Sequence, residues 1–430
     1  MSTGRAIFRN AAANFALPAA ALLTGPLLAR ALGVEDRGAV AAVLAGLTLA
    51  TFLAPLGIQE AIVFHLGRRT VDVRRARRVS FEAALVLGTA GAAVLALLAP
   101  LILRDAPEHV DLLRMVALTI PPAVLIACWR GMAAAQQRFD LTATERWLLG
   151  AGRILLILPL FLAGALTVET AVWAGALLPV LAMLALVPAL RAPKGRSDVG
   201  VRESRRRLLA YSARSAPGTL LTTLSTRLDQ ILLASLAGVG PLGLYAVAAS
   251  LAEIPLQGAN AVRDVVFATS SSRDDPTLIA RSARLMVVVV LPVAGAGILL
   301  APVVLPLLFG EDFAGAVPLA QVLLVALVPQ VLGSLFIVGL LGLGRPGLRS
   351  WLQVGSNLVQ VVLLLVLIGT GGALGAAVAV LVARILTTST FAVAFALSSR
   401  IRLRDCLVPR PGDVRALVRA VLRRGGASET

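Results

Sequence analysis

The chain is expected to be an all-α polytopic membrane protein of about twelve transmembrane helices, on three grounds. It has 430 residues, 58% of them hydrophobic and only 15% charged, with mean hydropathy +0.88. Soluble domains are usually about 45–50% apolar and roughly 25% charged. The apolar residues fall in runs far too long for barrel strands, and only helices or closed barrels satisfy the backbone inside lipid. The basic residues lie almost wholly between those runs. A soluble enzyme, a disordered tail and a secreted disulfide scaffold are therefore excluded.

A spanning helix needs about 20 mostly apolar residues. The first run, 7–30, contains Pro18 and Pro26 and lacks a convincing small-residue cleavage site. It is expected to be an uncleaved span rather than a signal peptide. Five more follow at 39–64, 80–103, 111–135, 144–165 and 170–190. A basic break with Pro193, Gly195 and Arg205-Arg206-Arg207 comes next. The second six runs are 210–236, 243–267, 282–309, 315–342, 350–369 and 373–398. The expected organisation is a six-helix lobe over 1–195, a cytoplasmic basic linker over 196–209, a second six-helix lobe over 210–400, and a basic cytoplasmic tail over 401–430. In the tail, Val414, Leu417, Val418, Val421 and Leu422 lie opposite Arg415, Arg419 and Arg423. That pattern suits a helix on an anionic leaflet, and a plain solvated tail is the alternative.

Orientation follows from the basic residues. With the N-terminus in the cytoplasm, the inner segments carry 32 of the 40 Lys and Arg. The outer loops hold four, Arg30, Arg37, Arg104 and Arg114, and four more lie within spans. An N-in/C-in topology is expected, and most of the net charge of +17 is topology. With aromatics at 4%, no nucleic acid is expected as partner.

The two halves show an internal repeat. Leu28-Ala29 through Gly33-Val34 to Gly38 matches Leu233-Ala234 through Gly238-Val239 to Gly243, an offset of 205. Ile120-Pro121 and Gly131 match Val328-Pro329 and Gly339, an offset of 208. An even number of spans per half makes this a parallel repeat, about an axis along the membrane normal.

Polar groups inside lipid are costly and normally face a cavity or a partner. The seventh span carries Ser215, Thr219, Thr222, Thr226 and Asp229, within about 80° of one face of a regular helix. The eighth carries Ser250, Glu253, Gln257, Asn260 and Asp264, equally clustered. Two such stripes on antiparallel neighbours point to a cavity wall; interhelical hydrogen bonding is the plainer alternative. Arg227 flanks the first stripe, as an anion site or as half of a structural pair. Arg153 and Arg384 sit mid-span and must pair or line water. Arg30 lies nearer a helix end and can snorkel. Glu253, Asp229 and Glu60 are the candidates for holding a coupling proton or sodium ion. Cys128 and Cys406, and His65 and His109, have no metal-ligand spacing, so neither a metal nor any other cofactor is expected. No phosphate-binding Gly-x4-Gly-Lys-Ser/Thr, nucleophile elbow or HExxH motif occurs, so the chain is not expected to be an enzyme.

The twelve spans, Gly33-x4-Gly38 after the first of them, and three later stretches carry a resemblance. These are Arg227-Leu-Asp229-Gln-Ile-Leu-Leu-Ala-Ser-Leu; Gly243-Leu-Tyr245 with Glu253-Ile-Pro255; and Leu307-Leu-Phe309-Gly310 with Phe313 and Ala316-Val317-Pro318-Leu319. Over residues 5–400 the chain resembles the Wzx-type oligosaccharide flippases of the multidrug/oligosaccharidyl-lipid/polysaccharide exporter superfamily. The resemblance implies alternating-access translocation of an undecaprenyl-diphosphate-linked oligosaccharide across the cytoplasmic membrane, for cell-surface polysaccharide. Arg227, with Arg30, Arg153 and Arg384, would meet the diphosphate or balance cavity acids. Polysaccharide polymerase, glycosyltransferases and anionic membrane lipids are the implied partners. The superfamily's lipid II flippases have fourteen spans, which argues against a peptidoglycan precursor as cargo. A cation-coupled multidrug exporter and a non-transporting scaffold for glycan assembly are the rival functions.

Overall fold

The structure, a computed structural model, describes residues 3–191, 201–224, 227–270, 276–343, 345–399, 401 and 403–407. Every regular element among them is helical. The first helix, α1 (Thr3–Leu53), and the long one near the end, α14 (Pro346–Ser399), each contain one non-helical glycine, Gly33 and Gly372. Uninterrupted, the 53 residues of Phe15–Gly67 or Gly347–Ser399 would run about 80 Å, against a hydrocarbon core of ~30 Å. Each is two spans joined at a kink.

Between them lie α2 (Ile58–Gly67), α3 (Val73–Ala83), α4 (Thr89–Ile102), α5 (Val110–Ala117), α6 (Ile120–Ala135), α7 (Phe139–Leu162) and α8 (Val168–Ala182). Then follow α9 (Val201–Leu224), α10 (Leu228–Ala237), α11 (Val239–Ser270), α12 (Pro276–Phe309) and α13 (Ala316–Gly342), with α15 (Leu403–Leu407) after α14. Among the described residues seven helical stretches are long and apolar enough to cross a membrane, or eight with the α5–α6 pair, which bends by 45°. Two of these are the kinked pairs. The other two expected spans, α7 and α9–α10, carry charged side chains. Each of the twelve expected segments is mainly helical where it is described, with short breaks such as 54–57 and 118–119, and the chain is a multi-pass membrane protein.

Local chemistry explains the interruptions. Asp72 caps α3, its Oδ1 accepting from the Arg75 amide at 2.8 Å. A π-turn over Ala84–Gly88 separates α3 from α4. At its end Gly88 faces Pro121, where a Cβ would lie 2.5 Å from the proline Cα. Pro121 occupies the first turn of α6, where a missing N–H costs nothing. The second span breaks between α1 and α2, with Leu56 at φ 45° and Gly57 at φ 79°. Breaking a helix frees carbonyls, and Ser212 Oγ donates to the Leu56 oxygen at 2.6 Å. In α7, Gly150 lets the backbone of α1 approach; a Cβ there would lie 2.7 Å from the Ala16 oxygen.

The repeat is visible in the backbone. Gly33 (φ 76°, ψ −174°) and Gly238 (φ 92°, ψ 175°) adopt the same conformation 205 residues apart. Gly164 (φ 63°) and Gly372 (φ 52°) form a second left-handed pair at the other offset, 208. The first pair also introduces two interlocked turns. A Cβ on Gly38 would overlap the Val239 oxygen, and one on Gly243 would overlap the Val34 oxygen. Those four residues exchange places under the 205-residue shift, so the contact is reciprocal.

The chain divides into two compact units, Met1–Ser250 with Leu308–Phe313, and Leu251–Leu307 with Ala314–Thr430. The division falls inside α11, whereas the repeat divides at the basic stretch 196–209. The interlocked turns account for the difference, because they tie α10 and the start of α11 to α1. The first two turns of α9 carry the described part of that basic stretch, 201–209. In the second unit, Met286 of α12, Leu335 and Phe336 of α13, and Phe391 and Phe395 of α14 form the apolar core. Buried Arg284 donates to the Asp405 carbonyl and fixes α15. The expected surface helix of the tail, 412–424, lies outside the described residues.

Candidate functional site

The first unit holds a cluster of charge on α1, α7, α10 and α11. Its base is the close approach of Gly150 to Ala16. Further along the two helices, Arg153 Nε donates to Thr24 Oγ1 at 2.8 Å. Thr24 is buried, and its hydroxyl donates in turn to the Ala20 oxygen at 2.8 Å. The half-buried Arg153 guanidinium is thus oriented by a hydroxyl that has already spent its own proton.

Arg37, on the same helix as Thr24 but past the Gly33 kink, sits close enough to Arg153 for the two cations to repel. Its Nε is buried and has no hydrogen-bond partner. Two cations that repel, one of them with a buried N–H that has no partner among the described residues, form an arrangement that an anion would favour. The sequence pattern placed Arg37 in an outer loop. Its only signal was an arginine within one turn of the Gly33–Gly38 segment.

Asp229 occupies the first turn of α10, where the helix dipole favours a carboxylate. The Tyr245 hydroxyl donates to its Oδ2 at 2.5 Å. Tyr245 is 1% exposed, and Asp229 Oδ1 is buried without a hydrogen-bond partner. One carboxylate oxygen is therefore held and the other is bare. Tyr245 was part of the sequence resemblance but had no role there.

Arg227 precedes α10 as its N-cap, with φ −137° and ψ 4°. The seventh span is not one regular helix, which corrects the expectation of a continuous stripe across it. An angular count of 100° per residue does not carry across this break, so Asp229 is not aligned with the threonines by that arithmetic. The side chains of Ser215, Thr219, Thr222 and Thr226 lie outside the described ones.

Arg30 is exposed at the end of the first span, and its Nε donates to the Leu308 oxygen at 2.9 Å. It caps the last turn of α12, a common use of arginine at a helix C-terminus. Glu60 is exposed in the first turn of α2, just past the break in the second span. Arg384, Glu253 and Gln257 belong to the second unit. Arg384 and Gln257 are half-buried there and Glu253 is exposed. The side chains of Asn260 and Asp264 lie outside the described ones.

One buried ion pair escaped the sequence reading. Arg130 grips Glu145 with Nε at 2.9 and 3.0 Å and Nη2 at 2.6 Å, and Glu145 is 1% exposed. It fastens α6 to α7. Among the described residues, no three His, Cys, Asp or Glu are arranged to hold a metal ion.

Comparison with known proteins places this architecture. No curated protein matches the chain. Among solved structures, an inward-facing multidrug resistance MATE family transporter of the MOP superfamily is similar over 91% of this chain and 99% of its own. The TM-score is 0.67 at 17% identity. The lipid II flippase MurJ, in an inward closed conformation, is similar over 92% and 88%, with TM-score 0.74 and 13% identity. A MOP superfamily transporter from Pyrococcus furiosus, whose binding pocket has reverse polarity, is similar over 92% and 95%, with TM-score 0.60 and 18% identity. Residues 27–318 match the family described as polysaccharide biosynthesis protein. With two thirds of its length inside that match and its helices in the MOP transporter fold, the chain belongs to the polysaccharide biosynthesis protein family.

Proposed function

We propose that the protein is a flippase that moves an undecaprenyl-diphosphate-linked oligosaccharide across the cytoplasmic membrane by alternating access, for cell-surface polysaccharide synthesis. The observation that carries this reading is the Arg37–Arg153 pair. Two guanidiniums close enough to repel each other make a place where an anion would be favoured. A diphosphate offers several acceptor oxygens, and arginine binds phosphate bidentately. Thr24 orients Arg153 for that contact, and the family match supplies the glycan context. The isoprenoid tail would stay in lipid while the head group crosses. On this reading the halves 1–195 and 210–400 move against each other, and the N- and C-termini face the cytoplasm. The polymerase and the glycosyltransferases of the same glycan are its functional partners, and the protein performs no covalent chemistry itself.

The test is flipping in proteoliposomes. A lipid-diphosphate oligosaccharide is loaded in one leaflet, and its exposure is followed with a membrane-impermeant glycan-modifying enzyme. Exposure that depends on the protein, and that falls by at least about tenfold in Arg37→Gln and Arg153→Gln, is the expected result; removing one charged hydrogen-bond partner costs about 1.5–3 kcal/mol. Absence of exposure with folded protein and several lipid-linked glycans would overturn the reading. Arg227→Ala and Arg384→Ala, run alongside, decide whether those arginines belong to the same path.

Asp229 favours a second reading, a cation-coupled exporter of small molecules. A carboxylate with one bare buried oxygen is suited to hold a proton or sodium ion. Efflux of a cationic dye, abolished by Asp229→Asn, would select it.

A further inference from the structure

We propose that a basic cavity beside α3 binds the phosphate head group of an anionic membrane lipid. The cavity measures about 650 Å³ and is lined by Arg74, Arg77, Arg78, Phe81, Trp129 and Leu190. The four α3 residues stand at i, i+3, i+4 and i+7, so they share one face of the helix. The neighbouring carboxylates offset Arg78 alone of the three cavity arginines. Asp72 lies 3.7 Å from Arg75, on the other side of α3. Glu82 is shared between Arg78 at 3.4 Å and Arg205 at 3.3 Å. Arg74 and Arg77 have neither an ion pair nor a hydrogen bond among the described residues. The cavity therefore carries uncompensated positive charge.

Its remaining wall is apolar. Phe81, 51% exposed, meets Trp129 edge to face with ring centroids 6.5 Å apart, and Leu190 closes the side. Trp129 is 6% exposed, and its indole Nε1 is a buried donor with no acceptor among the described residues. Such a donor is costly to leave unpaired, and an entering phosphate or ester oxygen would satisfy it. Free phosphate would use only the arginines. A lipid uses both parts, placing phosphate among the guanidiniums and its glycerol and first methylenes along Phe81 and Leu190. The segment 65–80 is one of the Arg-rich inner segments, and the cytoplasmic leaflet is where anionic lipids attract basic side chains. The site shares no residue with the Arg37–Arg153 pair, so the inference does not depend on the transport reading.

The experiment uses the full chain in nanodiscs of phosphatidylcholine with graded phosphatidylglycerol, released into mild detergent for native mass spectrometry. One retained phosphatidylglycerol that phosphatidylcholine does not displace is the expected result. Each basic residue near a membrane surface contributes about fivefold in affinity. Retention should therefore fall about fivefold in Arg74→Gln and about 25-fold in Arg74→Gln/Arg77→Gln. Trp129→Phe keeps the ring and loses only the N–H, and it should also weaken retention. Arg104→Gln/Arg114→Gln, exposed arginines elsewhere in the same unit, should leave it unchanged. Equal retention in the α3 double variant overturns the proposal, as does equal loss in the Arg104/Arg114 control. Inorganic phosphate displacing the lipid at matched concentration would make this a free-anion site and would also overturn it. None of these readouts involves flipping, so failure here and failure of the proposed function are separable.

Discussion

Thr24 does two jobs with one oxygen. Its proton goes to the Ala20 carbonyl, and its lone pair receives Arg153. Thr24→Val keeps the shape and removes both bonds, taking away the hydroxyl that orients Arg153 Nε. Hydrogen bonds to charged groups contribute about 1.5–3 kcal/mol, so thermal unfolding in detergent should show a loss near 2 kcal/mol. Thr24→Ser should recover most of it. Tyr245→Phe is the parallel case at Asp229, because it leaves both carboxylate oxygens without a donor. If Asp229 binds a coupling cation, its transport rate should change in Tyr245→Phe; an unchanged rate would leave Asp229 a structural residue. Arg153 and Asp229 were legible in the sequence as polar intrusions into apolar spans, whereas Thr24 and Tyr245 were not singled out as their partners. Arg153 and Thr24 are 129 positions apart, and only the fold brings them together.

At the scale of the element, spans were legible and their breaks were not. Hydrophobic runs mark where the chain enters lipid, yet the break before α2 uses ordinary apolar residues and one glycine. Leu56 takes a left-handed conformation that nothing in Ala54-Pro55-Leu56-Gly57 singles out. Gly33 differs, since the repeat marked it before its φ was known. A Cβ there meets nothing within 4 Å, so Gly33→Ala tests backbone strain alone. With φ 76° and ψ −174° Gly33 lies in a region essentially restricted to glycine, so alanine should cost about 1–3 kcal/mol and Gly33→Asn should not relieve it. The Arg130–Glu145 pair tests fastening between elements. Glu145→Ala strands a partly buried cation and should cost about 3 kcal/mol, whereas Arg130→Met/Glu145→Leu should cost clearly less in the same unfolding assay. Outside the membrane, Arg207 donates to Glu203 at 2.8 Å and holds its carboxyl below the ordinary glutamate value of 4.5. A depressed carboxyl stabilises the folded state above its ordinary value and ceases to do so on acidification. Amide protection over the start of α9, taken relative to the intrinsic exchange rate at each pH, should therefore fall as pH drops through and below 4.5.

For the whole molecule, charge bias predicts an orientation with both termini inside, and a labelling experiment tests it. Arg69→Cys should react with an impermeant maleimide only from the cytoplasmic side, and Asp312→Cys only from the opposite side. Both native cysteines are buried and make a quiet background. The sequence showed two similar halves, but it did not show that one compact unit reaches into the second half. A repeat is a statement about ancestry of sequence, while a compact unit is a statement about which surfaces are in contact in one conformation.

That distinction bears on the turns around Gly38 and Gly243. Neither position has room for a methyl group, and each turn fills the space that a side chain on the other would need. The pair works as a clasp that can shut only while both residues lack a side chain. Overpacking of this kind typically costs about 1–3 kcal/mol. Gly38→Ala would charge that cost to the shut conformation alone, so the resting balance between shut and open molecules would tilt roughly 5- to 150-fold toward open, a population change rather than a loss of fold. A protein that cycles between two conformations would then stall in one of them with every charged residue intact.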